Sequence, residues 1–321
     1  TAHVRINEEE YLLAELVSSA QILPRTTIKR IDLINYSGTV YIDEDDVLSV
    51  PEAQAAYVVG FANGVESFTS VFGMTRDGDG VQDNLQDWLV HTHQLLHAMP
   101  KLRHLKLQMT IVNPDNEFED GGTNWDEDVH ARFDVLMRSI RTKATHTLDS
   151  LTLGVPHYEA LVEEPVMLWQ PRYLSITCRD PFEHTLHLLQ AGKNRLRHLS
   201  LDVVPRLVAE NRCHPIFFPK LVKLYLDHNL DLDGDGLDAL PALIDPRTPV
   251  RQITYGTPSH QAPQHLRQFI ESQPVRTVEE VFILWSVDWD ENEVLKKQRE
   301  DELREFFDWC DEQKIQVARG M

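Results

Sequence analysis

The sequence predicts an α/β solenoid, in which short strands stack side by side as a curved parallel sheet with helices on its convex side. Three observations lead there. The first is an apolar ridge that recurs along the chain. Phe218 to Asn229 reads FPKLVKLYLDHN, and the same shape returns as LRHLKLQM from Leu102, LDSLTLGV from Leu148 and LRHLSLDV from Leu196. Two-residue alternation puts Leu224 and Leu226 on one face of a short strand, with Leu221 turning in just ahead of them. The second is the spacing. From Leu151 to Leu174 is 23 residues, to Leu199 a further 25, to Leu224 25, to Ile253 29 and to Val281 28. The third is that several spacers between ridges carry apolar residues at helical intervals.

A period in the twenties with one ridge per period is the leucine-rich-repeat signature, because a lone ridge cannot bury itself and must stack on its neighbours. The competing arrangement, a (β/α)8 barrel, needs about 30 residues per unit. That exceeds the three shortest intervals, and Ile315 with Val317 would add a ninth strand. The expectation is therefore one leucine-rich-repeat-like domain over 1–321. It divides into irregular N-terminal repeats with long loops (1–147), regular repeats (148–290) and a capping helix and strand (291–321).

In chain order, Glu8 to Ser19 carries Tyr11, Leu12, Ala14, Leu16 and Val17 at helical spacing. Thr27 to Ile34 is a strand with Ile28, Ile31 and Leu33 in the ridge positions. Asp43 to Asp46 reads as an acidic turn, of the kind a helix dipole favours ahead of a helix. Pro51 to Phe68 reads as a helix opened by its proline, and Arg76 to Gly80 as a loop. Asn84 to Met99 is a helix burying Leu85, Trp88, Leu89, Leu95, Leu96 and Met99, stopped by Pro100. Asn113 to Asp128 forms a long acidic loop containing Trp125, followed by a helix from Val129 to Arg141. Phe182 to Gln190 and His265 to Ser272 are short helices, while Leu161 to Gln170 and Arg206 to Phe217 are less regular. Glu291 to Asp311 sets Leu295, Leu303, Phe306, Phe307 and Cys310 on one side. With the strand at Ile315 and Val317 it forms a cap that keeps the last repeat's core from water.

Composition narrows the function. The 31 Lys and Arg against 51 Asp and Glu give a formal charge of -20, which repels phosphate backbones and anionic lipid heads. Neither nucleic acid nor a membrane is an expected partner. The cysteines, Cys178, Cys213 and Cys310, are odd in number and form no CxxC pair. That pattern argues against a disulfide scaffold or zinc site and for a reducing compartment, cytoplasmic or nuclear. No apolar run approaches the roughly 20 residues needed to cross a bilayer. No GxSxG, P-loop, Rossmann glycine pattern or HExxH occurs, so the chain reads as a non-enzyme without cofactor.

The helix LLAELVSS leading to TIKRIDL, the PKLxxLxL units and the closing FFDWCDEQKIQVA together resemble the divergent leucine-rich-repeat proteins of filamentous fungi, many of which follow an F-box. The resemblance implies a repeat domain that recognises a protein. It also implies that a helical module N-terminal to the repeats recruits a ubiquitin ligase scaffold, with the repeats as the substrate-recognition part.

Residues between the ridge leucines are expected on the concave face, a broad surface suited to a protein partner. The candidates are His198, Asp202, Lys223, Tyr225, Asp227, Glu280 and Phe282, with Trp285 close by. Its aromatic C-terminal end supplies the usual anchors of protein interfaces. The alternative is an enzyme, or a metal or small-ligand binder, using His198, Asp202, Asp227 and His228 on adjacent strands. Asp231 to Gly236 matches the opening of an EF-hand loop. The twelfth position, where calcium needs a bidentate Glu, is Ala242, so the segment reads as a polar turn.

Overall fold

A computed structural model of the chain describes residues 2–6, 28–33, 62–75, 81–112, 127–155, 157, 159–162, 169–176, 182–201, 215–227, 243–256, 262–284 and 293–320. The expected Glu8–Ser19 helix, the acidic turn at Asp43, the loop with Trp125, the EF-hand-like segment, Cys178 and Cys213 lie outside these residues.

The described residues form an α/β structure in which strands lie beside their neighbours in the chain and every described pairing is parallel. They group into two compact units. The first comprises Thr1–Pro171 with Cys178–His184, the second Arg172–Thr177 with Thr185–Met321.

In the first unit the strands are β1 (Ala2–Ile6), β2 (Ile28–Leu33), β3 (Ser67–Thr75), β4 (His104–Val112) and β5 (Ser150–Gly154), ordered as in the sequence. Helix α1 (Val81–Ala98) joins β3 to β4, α2 (Glu127–His146) precedes β5, and the single turn α3 (Glu159–Val162) follows it. The second unit carries β6 (Tyr173–Ile176), β7 (His198–Leu201), β8 (Lys223–Asp227), β9 (Gln252–Gly256), β10 (Glu280–Leu284) and β11 (Gln316–Gly320), again in order. Helix α4 (Phe182–Gly192), whose residues up to His184 belong to the first unit, precedes β7, α5 (Ala262–Glu271) lies between β9 and β10, and α6 (Glu293–Glu312) between β10 and β11. Within each unit the first and last strands do not pair with one another, so neither sheet closes into a barrel.

The inward register reproduces the leucine ridge. Ile31, Phe68, Leu105 and Leu151 stand opposite one another across β2 to β5. Leu174, Leu199, Leu224, Ile253, Val281 and Val317 do so across β6 to β11. Three residues before most of them sits another buried residue, among them Val65, Leu102, Leu148, Leu196, Leu221, Val250 and Val278, whereas three before Val317 is the exposed Lys314. Each fully buried leucine of this kind contributes about 1.5–3 kcal/mol over its exposed state, which is what makes the ridges attract.

The edge where the strands begin, the leading edge, repeats one hydrogen-bond pattern. The carbonyl of Glu66 accepts from both Arg103 N and His104 N, that of Arg103 from Asp149 N and Ser150 N, and that of Arg197 from Val222 N and Lys223 N. Val222 and Arg251 accept in the same way from the strands that follow them. Lys314, in the turn before β11, takes the left-handed conformation with φ 60°.

Two strands are absent from the sequence reading. The segment read as a helix from Pro51 to Phe68 instead ends in a 3-10 turn at Ala62–Gly64 and runs into β3. Residues 51–61 lie outside the described ones. β3 obeys the ridge rule as Val65, Phe68 and Ser70, all buried, but with aromatic and hydroxyl side chains where other ridges have leucines. It splits the apparent 74-residue gap into two steps of 37, Ile31 to Phe68 and Phe68 to Leu105. Trp88 on α1 explains how a serine is tolerated there: its Nε1 donates to Ser70 Oγ at 2.8 Å, with Thr92 Oγ1 at 3.3 Å from the same oxygen. β1 was passed over because AHVRI offers only five residues and no leucine.

Candidate functional site

Alternation along each strand leaves a second face, opposite the buried ridge. In the second unit it consists of two rows. Tyr173, His198, Lys223, Gln252, Glu280 and Gln316 open the strands and stand opposite one another in register. Two residues on, Ser175, Ser200, Tyr225, Thr254, Phe282 and Ala318 form the next row.

The first row is polar. The Tyr173 and His198 rings meet edge to face at 6.1 Å and 84°. Burial, and then the positive charges of Lys223 and Arg197, push the His198 imidazole below its ordinary value, which favours the neutral ring. Lys223 is exposed. Gln252 Nε2 donates to Glu280 Oε2 at 3.0 Å, which fixes the carboxylate across the strand pair.

The second row alternates small with large. Tyr225 lies between Ser200 and Thr254, and Phe282 between Thr254 and Ala318. Strands sit about 4.8 Å apart, so the two aromatic residues stand roughly 10 Å apart with a threonine between them. Both are part-exposed, while Ser175 and Ser200 beside them are buried at 7% and 8%. The row thus sets small residues beside and between two part-exposed aromatic ones on a backbone that the sheet holds in register.

Of the sequence-derived candidates, the structure thus brings His198, Lys223, Tyr225, Glu280 and Phe282 onto one face. Asp227 closes β8 opposite Gly256. Asp202, His228 and Trp285 lie outside the described residues, so the proposed metal or acid–base cluster is represented only by His198 and the backbone of Asp227. Among the described residues no group of three or more His, Cys, Asp or Glu is placed to hold a metal ion, and no helix is long and apolar enough to cross a membrane. Cys310 is buried on α6, as its place on the apolar side of that helix predicts, and burial pushes its thiol up to about 12. A thiol so protonated is a poor nucleophile.

Two further groupings escaped the sequence reading. In the first unit, His130 and His157 meet edge to face at 4.5 Å, Phe133 touches His157 at 5.7 Å, and His184 Nε2 lies 3.9 Å from Glu159 Oε1. Burial and the neighbouring His130 lower the His157 pKa against the opposing pull of Asp134 and Glu159. The three histidines are 27 residues apart in turn, a repeat-like interval that could have flagged them. The second grouping is the charge along the leading edge. In the first unit it alternates, Lys29, Glu66, Arg103, Asp149, with contacts of 2.7 Å for Lys29–Glu66 and 3.7 Å for Arg103–Asp149. In the second unit it does not alternate. No protein-family model matches the chain, and no curated protein matches it.

Proposed function

We propose that the chain is a protein-interaction scaffold of the leucine-rich-repeat kind, non-enzymatic, whose partner rests on the face carrying His198, Lys223, Tyr225, Glu280 and Phe282. Tyr225 and Phe282 carry the reading: two part-exposed aromatic side chains flank a small residue on a rigid sheet, which is the arrangement of interface anchors. The regular inward ridge and the sequential parallel strands support the repeat assignment. On this reading the sheet is curved, with this face on its inside. A role as the recognition part of an F-box ubiquitin ligase rests on sequence resemblance alone.

The test is affinity capture from a native extract, comparing the wild-type chain with Tyr225→Ala/Phe282→Ala and with His198→Ala. Proteins enriched by the wild type and lost from the aromatic double variant support the reading. Retention of every partner at unchanged affinity by both variants refutes it.

A further inference from the structure

The leading edge of the second unit differs in charge from that of the first. Arg172, Arg195, Arg197, Lys220, Arg276 and Lys314 all lie there, in the turns that precede β6, β7, β8, β10 and β11. All six are exposed, and among the described residues none has a carboxylate within 4.0 Å. Arg276 Nη1 spends its one side-chain hydrogen bond on the neutral Gln313 Oε1. Near its β9–β11 end the edge opens into a cleft of ≈ 600 Å³, lined by Arg276 and Lys314 together with Glu280 and the pair Arg251–Glu279, 3.7 Å apart.

Helix dipoles account for part of this, since α4 and α6 end beside Arg195 and Lys314 and favour a cation. They do not account for Arg172 or Lys220, which follow no described helix. A chain with 51 acidic against 31 basic residues that gathers along one edge six cations with no carboxylate partner among the described residues keeps them at a cost in mutual repulsion, which a bound anion would remove.

We propose that this edge is a docking surface for an acidic peptide segment of a partner protein. Five strand intervals of about 4.8 Å make the edge about 24 Å long, the span of about seven extended residues. A nucleic acid, with a charge every 1.7 Å or so along a duplex, would carry its charge well past that edge and onto a protein of formal charge -20. A short run of Asp and Glu matches the length without that repulsion. The inference does not depend on the aromatic face, which lies on other residues.

The experiment uses the full chain and a fluorescent oligoglutamate of eight residues, read by anisotropy. Binding is expected at low salt and weakens as salt rises. Arg197→Glu/Lys220→Glu and Arg276→Glu/Lys314→Glu each weaken it by at least about tenfold, because each reverses two charges in contact with the probe. Lys101→Glu on the first unit's edge and Tyr225→Ala/Phe282→Ala leave it unchanged, the latter separating this surface from the face. Absence of salt-dependent binding, equal binding by the charge-reversal variants, or tighter binding of a short DNA duplex than of the peptide overturns the proposal.

Discussion

In the second unit successive inward positions lie 25, 25, 29, 28 and 36 residues apart and every one is an apolar side chain. In the first, the steps from β2 to β5 are 37, 37 and 46 residues, and the ridge position after Phe68 is the hydroxyl of Ser70. The leading edges contrast too: charges alternate along the first, whereas the second has the pair Arg251–Glu279 and six cations without a carboxylate partner among the described residues. Both units add buried polar contacts to the apolar stack, but in different places. In the second unit they lie in the turns, where Thr248, 1% exposed, accepts from Phe218 N at 3.3 Å through its hydroxyl and from Gln273 Nε2 at 3.5 Å through its carbonyl. In the first unit Trp88 and Thr92 bring one onto the ridge itself, at Ser70.

The largest effect expected from probing that contrast is Leu224→Ala in the second unit. Leu224 is 1% exposed between β7 and β9, and truncation of such a leucine costs about 2–5 kcal/mol. The denaturant midpoint should fall accordingly; a loss under about 1 kcal/mol would mean that the stacked ridge is not what holds the unit.

Next comes Ser70→Ala in the first unit. It strands the buried Trp88 N–H and removes the oxygen facing Thr92, a loss of about 1–3 kcal/mol. Near-ultraviolet circular dichroism of Trp88 should change with it. A neutral outcome would show that the polar contact is dispensable and would bring the two units closer together in kind.

A smaller effect is expected at the alternating edge. Lys29 and Glu66 are part-exposed partners at 2.7 Å, and Lys29 lowers the Glu66 pKa by hydrogen bonding and charge. A double-mutant cycle with Lys29→Ala and Glu66→Ala should give a modest favourable coupling that high salt removes. Coupling that survives high salt would contradict a surface pair.

The smallest is in pH dependence. The folded protein holds His157 below its ordinary value of 6.5, through burial first and His130 second. The unfolded chain therefore binds the proton more readily, so the contribution of this group is intact above 6.5 and is lost as pH falls from there towards the lowered folded value. His157→Gln should flatten the acid-side decline of the melting temperature. An unchanged slope would remove His157 from the account.

Where leucines fill the ridge, the sequence announces the fold. β4 through β10 follow from Leu102, Leu148, Leu196 and Leu221 and their aliphatic equivalents, because two-residue alternation and burial point the same way. β3 was illegible for a physical reason. Phe68 and Phe72 around Ser70 lie just after a run of alanines, valines and aromatics whose spacing fits a helix, and only the partnership with Trp88 reveals Ser70 as an inward residue. Of the site, the alternation rule found Tyr225 and Phe282, since it requires no knowledge of neighbours. The His130 and His157 pair and the cations at the leading edge depend on which turns and helices come together; the 27-residue interval hints at the first, and only aligned strands reveal the second.

The carbonyl that receives two amide hydrogens where the next strand opens has one more consequence. It seats β4, β5, β7, β8, β9 and β10 each against its predecessor, so irregularities in linker length are absorbed where those strands open. A guest sequence grafted into a linker would leave the units on either side where they were, and a lineage of such proteins could vary what its loops carry while keeping the frame.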